Sequence, residues 1–90
     1  FLGIVQDYDL ETNVVTLEQR NYFKPGDVVE FFGPKLEPVT FTIPENIMDK
    51  DENLIEVANH PKMIVKFKVP FKLSKYDMMR IKVFDISNFL

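Results

Sequence analysis

The 90-residue chain contains no cysteine and no tryptophan. Without thiols it forms no disulfide, thiolate zinc centre, iron–sulfur site or cysteine nucleophile of its own. Histidine occurs once, at His60, and serine twice, at Ser74 and Ser87. A lone histidine with no second ligand beside it cannot build a zinc site, and neither serine stands in the glycine-flanked elbow of a hydrolase nucleophile. The three glycines, Gly3, Gly26 and Gly33, are scattered, so no glycine-rich loop is available to cradle a phosphate. No apolar run is long enough to span a bilayer, and no basic start followed by an apolar core marks a signal peptide. These absences leave the chain with no expected catalytic residue, no cofactor and no metal ligand. Alanine, the best helix former, is nearly missing too, with Ala58 its single occurrence.

What the chain has instead is aromatic and β-branched residues. Nine Phe and three Tyr are a heavy load for 90 residues, and aromatic rings bury the most area per side chain. Ninety residues make a single domain, 1–90, whose core is adequate but thin. Period-two alternation marks strands at Phe1 to Asp9, Val14 to Gln19, Asp27 to Phe32, Val39 to Ile43, Leu54 to Ala58, Met63 to Val69 and Met78 to Phe84. Between them lie turn signals: Leu10 to Asn13, Pro25-Gly26-Asp27, Gly33-Pro34, the acidic Glu45 to Asn53, and Asn59-His60-Pro61. Near Ser74 to Met78 one helical turn is possible, with Ser74 as its cap. About seven short strands at this spacing predict an all-β fold, a small closed or distorted β-barrel. Closure is favoured because strands this hydrophobic would otherwise leave sticky edges.

Charge is distributed unevenly. Residues 1–53 carry four basic and eleven acidic groups, a net of −7, and residues 54–90 carry seven basic and three acidic, a net of +4. If the last two strands are neighbours, Lys66, Lys68, Arg80 and Lys82 form a basic stripe opposite the apolar faces of those strands, with Lys62, Lys72 and Lys75 nearby. Such a stripe suits an acidic partner, RNA backbone included. Arg20 is expected to hold two connections together through a carboxylate such as Glu30 or Asp77, or to meet a partner's phosphate. His60 is expected to shape a corner, its ring bonded to backbone. Asp49, Asp51 and Glu52 begin like a calcium loop but lack its glycine and its closing glutamate, which leaves a solvated acidic turn. The candidate interaction surface is therefore Lys66, Lys68, Arg80, Lys82, Arg20 and His60.

Three stretches in series carry a resemblance. They are Glu18-Gln19-Arg20-Asn21-Tyr22-Phe23 followed by Gly26-Asp27 and Glu30; His60-Pro61 leading into the strand at Met63; and Tyr76-Asp77-Met78-Met79-Arg80. Together, from Val5 to Arg80, they resemble the C-terminal domain of the U32 peptidase family, the collagenase-like proteases. The resemblance implies an accessory β-barrel similar to the second domain of translation elongation factors, with the catalytic module and its cysteines upstream. It implies a non-catalytic role, recognising or positioning a protein substrate for the upstream catalytic domain of the same chain. Relatives that hydroxylate RNA bases imply the alternative of an RNA-contacting barrel. A third reading, an oligomerisation module, draws on aromatics expected at the surface: Phe31, Phe71, Phe84 or Phe89. The chain opens on Phe1 without an initiator Met, as expected of a piece of a longer protein. A cytoplasmic setting and no membrane partner are the matching expectations.

Overall fold

The computed structural model describes residues 1–82. Among the described residues eight strands form one antiparallel sheet: β1 (Gly3–Asp9), β2 (Val14–Gln19), β3 (Val28–Gly33), β4 (Leu36–Thr42), β5 (Ile47–Asp49), β6 (Leu54–Ile55), β7 (Ile64–Lys68) and β8 (Met78–Ile81). Their order across the sheet is β4-β3-β8-β1-β2-β7-β5-β6. No helix of the described residues is long and apolar enough to cross a membrane. The fold is all-β, as expected, with one more strand than the alternation indicated. The extra strand is β5, inside the stretch read as an acidic turn. Asp49 shortens that turn: its Oδ1 accepts the backbone N–H of Asp51 and of Asn53, at 2.9 and 3.0 Å. Ile47, just before it, is then free to pair with Ile55 and to sink fully into the core. The strand expected over Leu54 to Ala58 is correspondingly short, and Ala58 makes only an isolated bridge to Phe23.

The sheet is curled without being closed by hydrogen bonds. Its terminal strands β4 and β6 share no ladder. Yet Phe41 of β4 stacks on Phe67 of β7, with centroids 6.1 Å apart and ring planes 13° from parallel. Four strands lie between these two in the sheet order, so only strong curvature brings their inner faces together. Phe23 meets Phe67 edge-on at 6.3 Å, and Phe31, Phe41 and Phe71 complete a ring cluster. Each such pair adds roughly 0.5–1.5 kcal/mol beyond its buried area. The aromatic core thus holds the curl that a closed ladder would hold in a barrel. Val5, Val15, Leu17, Val29, Phe31, Val65, Phe67 and Met79 around it are fully buried. Phe31 is therefore a core residue, not the exposed docking aromatic expected, because it lies on the inner face of β3 beside Val29. Phe71 is half-buried and packs against the same core. Phe84 and Phe89, together with the expected end of the last strand at Val83 and Phe84, lie outside the described residues.

Local chemistry explains the departures from plain alternation. In β1 the register slips between Val5 and Asp7, so Gln6 is an extra residue and Tyr8, not Asp7, returns to the inner side. Tyr8 packs against the core and donates its hydroxyl hydrogen to the Val69 carbonyl at 2.7 Å. Pro38 lies inside β4, which it tolerates because β4 is an edge strand. At Lys24-Pro25-Gly26-Asp27 the chain turns with Gly26 at φ 91°. Space around Gly26 is open, so the backbone angle alone selects glycine there. The segment at Ser74 makes no helical turn: Asp77 is the capping residue, its Oδ2 accepting the Ser74 N–H at 2.8 Å while its own N–H donates to the Ser74 carbonyl.

Candidate functional site

The six sequence candidates do not come together. Strands β1 and β2 lie between β7 and β8, so Lys66 and Lys68 share no stripe with Arg80 and Lys82. Arg80 and Lys82 are engaged at home. Arg80 Nε and Nη2 reach Glu30 Oε1 at 2.8 and 2.7 Å, and Lys82 Nζ reaches Glu30 Oε2 at 3.1 Å. The Arg80 guanidinium also covers the Phe32 ring at 4.1 Å. The hydrogen bonds from Arg80, then from Lys82, hold the Glu30 carboxyl below the usual carboxylate range. Arg20 pairs with its strand neighbour Glu18 at 3.0 Å, not with Glu30 or Asp77. Lys66 borders a hollow shared with Asp7, Asp9 and Glu52, where an incoming anion meets three carboxylates. Lys68 is exposed opposite Val14. His60 is exposed, and the corner is closed by its carbonyl, which accepts the Met63 N–H at 3.1 Å, rather than by its ring. Among the described residues no group of three His, Cys, Asp or Glu side chains is placed to hold a metal ion.

A different group of cations does converge. Two adjoining hollows, each of about 260 Å³, lie between the β3–β4 turn and the segment leading into β8. Lys35, Ser74 and Asp77 line both; Lys72 borders one and Lys75 the other. None of these three lysines makes an ion pair with a carboxylate of the described residues. Lys35 is carried there by a two-residue hairpin turn, Pro34-Lys35, closed by the Gly33–Leu36 pair. The opposing segment docks on that turn through Asp77, which is buried. A Cβ on Gly33 would collide with Asp77 Oδ1, so glycine is what lets the two connections approach. Beside the lysines stands Tyr76, 68% exposed, with Lys75 Nζ 5.2 Å from its ring centroid. Its backbone is left-handed, at φ 76°, and is fixed there by its N–H bond to the Val5 carbonyl at 2.8 Å. Strand alternation found none of this grouping, because all four residues sit in connections. Lys72 and Lys75 were visible in the sequence only as extra charges near the expected stripe.

Fold and site together define a small all-β module that offers charged and aromatic surface. The chain belongs to peptidase family U32: the family's C-terminal domain matches it over residues 1–80. It is 54% identical over 80 residues to tRNA hydroxylation protein P1 of Bacillus subtilis (strain 168), a match covering 89% of this chain. The chain spans about a fifth of that relative's length, 19%. Its structure is similar to the C-terminal domain of a Geobacillus thermoleovorans protein classed with the U32 peptidases, with a TM-score of 0.88, 51% identity and 92% of each chain covered. The selenomethionine variant of that domain gives a TM-score of 0.86 at 52% identity, covering 89% of this chain and 96% of that one.

Proposed function

We propose that this chain is the accessory β-domain of a U32-family protein that hydroxylates tRNA, and that it helps hold the RNA while the chemistry happens elsewhere. The observation that carries the reading is the 54% identity, over 80 residues, to a tRNA hydroxylation protein. The unpaired lysines at one end of the sheet are compatible with a polyanionic partner. The reading as a positioning domain for a protein substrate rests on the family's name and on the Geobacillus relative's description.

A chimera separates the two. Residues 1–80 of this chain replace the matching segment of the Bacillus subtilis relative, and a deletion variant of the relative lacks that segment altogether. Hydroxylated nucleosides in cellular tRNA are then measured by mass spectrometry. The chimera is expected to keep the modification, and the deletion to lower it at least about tenfold, the effect of losing roughly 1.4 kcal/mol of substrate binding. A deletion that leaves the modification intact, or that changes only hydrolysis of a protein substrate, overturns the proposal.

A further inference from the structure

We propose that Lys35, Lys72, Lys75 and Tyr76 form the RNA contact of this domain: the lysines grip backbone phosphates and the Tyr76 ring stacks on one unpaired base. The inference rests on the RNA reading above and gives it a site. The net charge of the chain is −3, so a polyanion can approach only where cations are locally concentrated and unneutralised. Arg20, Lys24, Arg80 and Lys82 are each paired with a carboxylate, and Lys66 borders the hollow of Asp7, Asp9 and Glu52. The Lys35–Lys72–Lys75 end is different, for its one lining carboxylate, Asp77, is buried and turned to the Ser74 N–H. Three cations around one internally bonded carboxylate leave net positive charge facing outward.

Tyr76 supplies the second, independent observation. A bulky residue at φ 76° is strained where glycine would not be. The strain secures no core packing, since the side chain is 68% exposed. That conformation docks the turn on β1 through the Tyr76 N–H bond to the Val5 carbonyl and leaves the aromatic face exposed at the rim of the lysine cluster. A ring beside cations is the pairing that unpaired nucleotides use, since every base has a face to stack and a phosphate next to it. Paired duplex offers phosphates but no free face, so the site is suited to a loop or a strand end.

The test uses the isolated chain, in line with the related Geobacillus C-terminal domain, which crystallised as a domain of similar extent. Its binding to an unmodified tRNA transcript and to a blunt RNA duplex is followed by fluorescence anisotropy across a salt series. Replacing Lys35, Lys72 and Lys75 together with Ala should lower the slope of log affinity against log salt by about 2–3, since each lost phosphate contact removes about 0.7–0.9. Replacing Lys62, Lys66 and Lys68 with Ala, the same charge change on and beside β7, should leave affinity within about twofold, a change of roughly 0.4 kcal/mol. Tyr76→Ala should weaken tRNA binding about 5- to 100-fold while leaving the salt slope and the duplex affinity unchanged. Tyr76→Phe should bind like the wild type. Tyr76→Gly is the sharpest variant, because it should keep or raise the melting temperature while losing tRNA affinity. If the wild-type chain binds tRNA and the lysine and Tyr76 variants bind it equally well, the site is wrong and the RNA reading stands. If the wild-type chain retains no tRNA even at low salt, both fall.

Discussion

Gly33 and Asp77 show how a single missing Cβ positions a surface. The carboxylate of Asp77 occupies the space a side chain at 33 would need, and its other oxygen holds the Ser74 N–H. Gly33→Ala should therefore cost about 1–3 kcal/mol, as overpacked buried sites do, seen as a drop of roughly 4–8 °C in melting temperature per kcal/mol for a domain this size. Asp77→Ala leaves the Ser74 N–H without its acceptor and should cost about 1–3 kcal/mol by itself. In the double variant the clash has gone, so the two penalties should fall short of their sum by more than about 0.5 kcal/mol. Additive penalties would mean that the two residues do not share this space. Gln19 poses a different problem at the same scale. It is buried at the end of β2, its Nε2 donating to the carbonyls of Ala58 and Asn21, while its Oε1 has no partner among the described residues. The amide ties the end of β2 to the connection beyond β6, and the sequence offered no sign of it beyond a polar residue in phase with Val15 and Leu17.

At the scale of elements, β3 and β8 are joined by charge as well as by their ladder. Glu30 takes both Arg80 and Lys82, and its folded-state pKa lies below the unfolded value for that reason. A depressed carboxylate pKa adds stability that is fully present above the ordinary carboxylate value and fades as the pH falls through the lower folded value. Asp27 behaves likewise: burial pushes its carboxyl up, but the Lys24 ammonium and backbone N–H outweigh it and leave it lowered overall. Urea midpoints measured from pH 7 down to pH 3 should therefore decline across the carboxylate range, and Glu30→Gln should flatten part of that decline. An identical pH profile in the variant would remove Glu30 from the acid sensitivity. The elements differ in how far the sequence revealed them. Val14 to Gln19 and Met63 to Val69 were legible because Val15 and Leu17 in the one, and Met63, Val65, Phe67 and Val69 in the other, alternate with polar or less buried positions. The β5–β6 hairpin was hidden because three acidic residues read as solvent-facing chain, whereas the structure uses Asp49 to fold the turn. The bulge at Gln6 left no mark in the sequence, since a one-residue slip in register has no composition of its own. The lysine site was illegible for a related reason: period-two reasoning sorts residues within a strand, and this cluster is assembled from separate connections.

Across the whole molecule, strand order decides what the charge split in the sequence becomes. β7 and β8 come from the basic half, yet each lies between strands of the acidic half, apart from β6 at the far edge. Arg80 and Lys82 are absorbed by Glu30, and the net +4 of residues 54–90 spreads instead of forming one pole. The same order sets where the domain is weak. β1, β2 and β7 sit well inside the sheet and hold the fully buried Val5, Val15, Leu17, Val65 and Phe67. β6 is a two-residue edge whose Leu54 is 71% exposed. Native-state hydrogen exchange should divide the domain accordingly. Amides of β2 should open only with global unfolding, while those of the β5–β6 hairpin open locally and exchange at least about 100-fold faster. Uniform protection out to β6 would contradict the open sheet, because a two-residue strand paired on one side only has nothing else to slow its opening. It would mean that β6 finds a partner in solution, either β4 across the gap or another chain. Exchange that is fast at β6 yet slow at Phe41 would instead support a sheet whose curl is held from within, by the stack of Phe41 on Phe67.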